Sequence, residues 1–86
     1  MVFEFDPKKN EENLKKHDIN FDDAKELWND PHCIVIPART IDEKRYLLIG
    51  TLNDKIWSAI FTIRNKKIRI ISVRRSRKNE EEIYKS

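Results

Sequence analysis

Few side chains in this chain of 86 residues are equipped for chemistry, and most of those are cations. His17 stands beside Lys16 at the end of a polar stretch. An imidazole there can take or give a proton. It can also serve as a helix C-terminal cap, because the helix dipole favours the imidazolium. Sequence leaves both roles open. His32 follows Asp30-Pro31 without a partner motif and reads as incidental. Cys33 falls in an apolar run and reads as packing rather than as a nucleophile. A lone cysteine excludes an internal disulfide, and with two histidines it does not make a structural zinc site. There is no Gly-rich phosphate loop, no pair of carboxylates at metal-binding helical spacing and no Ser-His-Asp order. Neither a metal nor a cofactor is expected.

The cations are concentrated. Between Arg64 and Lys78 lie Arg64, Lys66, Lys67, Arg69, Arg74, Arg75, Arg77 and Lys78, with no acid among them. Like charges this dense repel one another unless an anion neutralises them. A solvated basic face is one reading, and a polyphosphate partner, nucleic acid in particular, is another. Arginine outnumbers lysine here, and its planar fork suits bidentate phosphate contact. An acidic protein segment would satisfy the same patch.

Metal-free RNA cleavage needs little beyond this inventory. One group removes the 2′-hydroxyl proton, another protonates the leaving 5′ oxygen, and cations stabilise the charge building on phosphorus. His17 is the candidate base or acid. Glu80 and Tyr84 are weaker candidates, since a Tyr near the end of a small domain is more often a packing residue. Arg64, Arg74 and Arg75 are the candidate phosphate clamp, and Lys16, Lys67, Arg69 and Arg77 the candidate contacts to the RNA backbone.

These groups must be positioned by one small domain spanning 1–86. The composition, 38% hydrophobic and 38% charged, is too rich in Ile, Val, Leu and aromatics in its second half for a disordered chain. Apolar runs are four residues or fewer, which excludes a spanning helix of roughly 20 residues. No signal segment follows Met1, so a reduced, cytoplasmic protein is expected. The core of so short a chain is marginal, and a permanent partner or self-association is in keeping with that. Charge is segregated: residues 1–31 carry five Lys against nine acids, and residues 32–86 carry thirteen bases against six acids.

Asp6-Pro7 opens a helix, with Asp as N-cap and Pro at the first helical position. The stretch from Pro7 to His17 has Leu14 as its only large apolar residue, so that helix should be short and peripheral. Asn20 caps a second helix, in which Phe21, Ala24, Leu27 and Trp28 face the core, and Asp30-Pro31 ends it. Strands follow over Cys33–Ile36 (ended by Pro37), Arg45–Gly50, Ile56–Arg64 and Lys67–Arg75, with a polar connection from Thr40 to Lys44. The short connections demand an antiparallel meander of four strands. The tail from Ser76 to Ser86 is helix-competent. The expected fold class is α+β.

A two-residue Asn65-Lys66 loop would pair Arg64 with Lys67, Thr62 with Arg69, Ile60 with Ile71 and Ser58 with Val73. Arg64, Arg69 and Arg75 then share a mixed face. Trp57, Ala59, Phe61, Ile63, Ile68, Ile70, Ser72 and Arg74 lie on the opposite face, against the helices.

Ordered matches along the chain carry a resemblance. Phe3-Glu4-Phe5-Asp6, Lys9, Asn13, Lys16-His17, Ile19 and Phe21-x-x-Ala24 resemble the opening of BrnT family toxins. Arg45-Tyr46, Ile49-Gly50, Phe61-Thr62-x-Arg64, the run Ile68 to Arg75, Glu80 and Tyr84 resemble the remainder. Phe5 departs from a usual Trp, Asp18 from a common Gly, and Val73 and Ser76 from a frequent Ala. The resemblance implies a RelE-like α+β ribonuclease, the toxin of a type II toxin–antitoxin pair. It further implies neutralisation by a BrnA-like antitoxin that itself contacts DNA, and toxin dimerisation within the complex. By position, His17, Arg64, Arg74 and Arg75 fall on the family's recurrent polar positions. The competing reading is a non-enzymatic module that binds nucleic acid or a partner through the same basic face.

Overall fold

A computed structural model describes residues 1–39 and 42–86. The elements run β1 (Phe3–Glu4), α1 (Pro7–His17), α2 (Phe21–Ala24) continuing into a 3-10 turn (Lys25–Asn29), β2 (Ile34–Ala38), β3 (Arg45–Leu52), β4 (Lys55–Arg64), β5 (Lys67–Arg75) and α3 (Lys78–Lys85). The fold is α+β, as the sequence implies. Strands β2 to β5 form the expected antiparallel meander. A fifth strand corrects the count: β1 pairs in parallel with β5 through Phe3–Ile68 and Glu4–Arg69, giving a mixed sheet in the order β1-β5-β4-β3-β2. Two residues are too few to show a period, and their partner lies more than sixty positions away. The connection expected from Thr40 to Lys44 falls partly outside the described residues.

Helix α1 starts as its caps dictate. The Asp6 carboxylate accepts from the Lys8 amide at 2.9 Å, and Pro7 takes the first helical position. The helix ends on Asp18, which turns left-handed (φ 58°) while its N–H bonds the Leu14 carbonyl. Asn20 caps the next segment, accepting from the Asp23 amide at 2.7 Å. That segment is not the full helix expected: one α-turn tightens into a 3-10 turn. Phe21, Ala24 and Leu27, all fully buried, sit three apart, and three residues per turn stacks them on one line. Pro37 lies inside β2 rather than ending it, opposite Tyr46. An edge strand tolerates a residue that cannot donate to the ladder. Both later hairpins turn through two residues with positive φ, Asn53-Asp54 and Asn65-Lys66. This is the twist that a two-residue hairpin needs, reached here without glycine.

One face of the sheet carries α1, α2 and the 3-10 turn, over a core of Ile19, Phe21, Ala24, Leu27, Leu48, Trp57, Ala59, Phe61, Ile70 and Val73. Trp28 meets Phe3 and Phe61 edge-on, with centroids 5.1 and 5.3 Å apart. Gly50 lets the 3-10 turn approach β3, because a Cβ there would stand 3.2 Å from the Leu27 carbonyl oxygen. Helix α3 docks on the opposite face, where Glu80 reaches Ser58. None of the helices is long and apolar enough to cross a membrane among the described residues.

Candidate active site

A β-bulge decides where the arginines point. The β4–β5 ladder runs as expected through Arg64–Lys67, Thr62–Arg69 and Phe61–Ile70, but the next pair is Ile60–Ser72, so Ile71 is extra. The pairings Ile60–Ile71 and Ser58–Val73 are thereby corrected to Ile60–Ser72 and Ser58–Arg74, with Val73 opposite Ala59. An extra residue in one strand shifts alternation by one position. Arg74 therefore joins the face of Ser58, Thr62, Arg64 and Arg69, whereas Arg75 moves to the helix-bearing face, opposite Trp57. These two assignments reverse the expected ones. The Arg75 guanidinium lies over the Trp57 ring, 5.5 Å from its centroid.

Arg74 is engaged by Glu80. Nη1 donates to Oε1 at 2.7 Å and Nη2 to Oε2 at 2.8 Å. Glu80 is 6% exposed and also accepts from the Ser58 hydroxyl at 2.9 Å and from the Arg77 amide at 2.8 Å. Ser58 in turn shares a hydrogen bond of 2.7 Å with Ser76. The Arg74 hydrogen bonds, opposed by burial and aided by the Arg77 amide and Ser58, hold the Glu80 carboxyl down at about 2. Glu80 is therefore an ionised acceptor.

One helical turn further along α3, the Tyr84 hydroxyl donates to Asp30 at 2.5 Å and lies 3.3 Å from the Thr51 hydroxyl. Asp30 also accepts from the Thr51 amide and hydroxyl, each at 2.9 Å, and from the His32 amide at 2.9 Å. Burial works to raise the Asp30 pKa, but the bonds from Tyr84, His32 and Thr51 outweigh it and hold it at about 2. The same hydrogen bond to Asp30 raises the Tyr84 pKa. Glu80 and Tyr84, at i and i+4, thus dock α3 through polar contacts.

The acid-free run of the sequence is not acid-free in space. Arg64 bonds Glu43, with Nη2 to Oε2 at 3.0 Å, Arg69 meets Glu4 at 3.5 Å, and Arg74 holds Glu80. Each arginine on this face thus has a carboxylate from a distant part of the chain. Lys66, Lys67, Arg75, Arg77 and Lys78 are exposed. Arg64 and Arg74 are not brought together: Arg74 lies opposite Ser58, six β4 residues from Arg64, a span of roughly 20 Å at about 3.3 Å per residue.

His17 closes α1 and is half-buried, and Lys16 beside it is exposed. Asp18, the residue that follows them, lines a groove with Ile19, Leu52, Lys55 and Trp57, and Asp23 of α2 and Glu26 of the 3-10 turn form another wall. The groove thus runs from the end of α1 to the ring on which Arg75 is stacked. Lys55 in its lining attracts an anion, and its acidic residues Asp18, Asp23 and Glu26 oppose one. Asn13 is a residue that sequence reading left without a role. Buried at 7% exposure, its amide nitrogen donates to the Ile19 carbonyl at 3.0 Å and to the Val73 carbonyl at 2.9 Å, and its oxygen accepts from the Val73 amide at 3.1 Å. Sequence reading also gave no partner role to Trp57, on which Arg75 stacks, or to Asp30, which accepts from Tyr84. The available signal was an Asn on a helix that has no apolar stripe.

Among the described residues no three His, Cys, Asp or Glu side chains converge as metal ligands. Residues 5–80 match the family model described as "Ribonuclease toxin, BrnT, of type II toxin-antitoxin system". No curated protein matches the sequence.

Proposed function

The chain belongs to the BrnT family of ribonuclease toxins of type II toxin–antitoxin systems, and from that premise we propose that it cleaves RNA without a metal ion, with His17 and Arg75 at the scissile phosphate. One observation carries this reading. Arg75 is stacked on Trp57, which lines the same groove as Asp18, the residue after His17, and it pairs with no carboxylate among the described residues. Arg64, Arg69 and Arg74 each already hold one. A phosphate is the ligand that an exposed, pre-oriented guanidinium fork recognises best.

In this mechanism the 2′-hydroxyl loses its proton to a base and its oxygen attacks phosphorus. The P–O5′ bond breaks, and the departing 5′ oxygen takes a proton, leaving a 2′,3′-cyclic phosphate and a 5′-hydroxyl. His17 moves one of these protons, and Arg75 neutralises the charge developing on the phosphoryl oxygens. Arg74 with Glu80, and Tyr84 with Asp30, hold α3 beneath. Lys16, Lys67, Arg77 and the outer arginines Arg64 and Arg69 contact the backbone of a longer RNA. The reaction depletes translatable RNA in the cytoplasm. A BrnA-like antitoxin neutralises it, bringing the dimerised toxin to DNA only through that complex.

The test is incubation of the purified chain with total RNA in EDTA, beside His17→Ala and Arg75→Ala. The expected result is degradation by the wild type and not by the variants. Degradation that EDTA abolishes would overturn metal independence, and equal degradation by both variants would overturn the site. RNA left intact, both free and on translating ribosomes, would leave a binding module.

A further inference from the structure

We propose that Asn13 is the positioning residue of the site, setting where His17 stands relative to Arg74 and Arg75. The proposal rests on the reading of His17 and Arg75 given above. A primary amide has two N–H donors and one carbonyl acceptor. Asn13 uses both donors and the acceptor, on two segments: the Ile19 carbonyl, two residues after His17, and the Val73 N–H and carbonyl, next to Arg74.

The geometry on β5 explains the residue type. Strand β1 covers the outer edge of β5 only at Ile68 and Arg69. At Val73, just past the bulge, no strand of the described residues covers that outer edge, and both backbone groups turn to the Asn13 amide. The side chain stands in for a peptide unit and continues the ladder where β1 has stopped. Asp would set a carboxylate against two carbonyl oxygens. Ala would leave three buried backbone groups without partners.

Little else fixes α1 along β5. Its single large apolar residue, Leu14, is 46% exposed, and the Asn10 side-chain oxygen accepts from the Phe21 amide at the α1–α2 corner instead. His17 lies one turn beyond Asn13, on the same side of the helix. If the Asn13 amide is lost, the end of α1 is free to slide over β5, and displacement of a catalytic group by about 1 Å can cost about 100-fold in rate.

The experiment is a double-mutant cycle on RNA cleavage. Wild type, Asn13→Ala, His17→Ala and the double variant are assayed for kcat and KM where circular dichroism shows each to be folded. Asn13→Ala is expected to lower kcat by about 100-fold with KM nearly unchanged. In the His17→Ala background the same substitution should cost little more, because the group it positions is gone. A purely structural role would cost the same factor in both backgrounds. Equal losses in both, a folded Asn13→Ala with wild-type kcat, or a fully active His17→Ala would each overturn the proposal. If Asn13→Ala does not fold, Asn13→Ser, which keeps a small hydrogen-bonding group, carries the same cycle. A wild type that cleaves no RNA overturns the function itself, whereas an active wild type with active Asn13 variants overturns only this inference.

Discussion

Arg74 and Glu80 form a bidentate pair that closes β5 onto α3, with Nη–Oε distances of 2.7 and 2.8 Å and Glu80 only 6% exposed. Arg74→Ala strips that carboxylate of its countercharge and leaves it with Ser58 and a backbone amide. The expected loss is about 2–3 kcal/mol of unfolding free energy. Urea melts of Arg74→Ala, Glu80→Ala and the double variant should show strong coupling, and additive losses would contradict the pair. Activity lost by Arg74→Ala therefore has to be read beside its folded fraction.

The depressed carboxylates make stability depend on pH in one direction. Glu80 falls from 4.5 and Asp30 from 3.8, each to about 2, in the folded chain. The folded state thus binds fewer protons than the unfolded one in that window. The contribution is present in full above the unfolded values and is lost as pH falls through them toward 2. Denaturation midpoints should drop across this range, and Glu80→Gln should flatten the slope. A slope unchanged in Glu80→Gln would refute the assignment.

Arg64 and Arg75 should separate in their effects. Arg75→Ala is expected to lower kcat by about 100-fold or more, the scale of losing one preorganised charge-stabilising donor. Arg64 lies at the far end of β4 beside Glu43. Its replacement by Ala should instead weaken RNA binding and reduce the salt slope by about one charge. Measurement of kcat and KM at two salt concentrations distinguishes the outcomes.

Asp18 ends α1 in the left-handed region at φ 58°. Glycine adopts that conformation without a Cβ clash, so Asp18→Gly should raise stability by about 0.5–1 kcal/mol, and Asp18→Val should lower it. Thermal melting of the pair checks both signs.

Local chemistry was legible in the sequence. The Asp6-Pro7 and Asn20 starts, the Asn65-Lys66 loop and the bounds of β5 all follow from neighbouring residues, and the structure shows each one. Long-range relations were not. The bulge at Ile71 lies two residues before Val73, whose backbone is held by Asn13 sixty positions away, and no spacing rule within β5 announces it. The partners of Arg64, Arg69 and Arg74 come from the β3 approach, β1 and α3. A charge run read in one dimension overstates its repulsion for that reason. Placing Arg74 and Arg75 on their proper faces required the bulge, so the candidate residues could be named from the sequence but their arrangement could not.

The pairing of β1 with β5 has a temporal consequence. Phe3 meets Ile68, and Asn13 meets Val73, so the first and last thirds of the chain are sewn together. Contacts between such distant positions form late, because the intervening loop must close first. While the chain is being synthesised, β1 and α1 have no edge to bind until β5 has emerged. Helix α1 and the far half of β5 are thus joined only when the two ends meet, and a nascent chain that lacks β5 cannot yet hold α1 in its place.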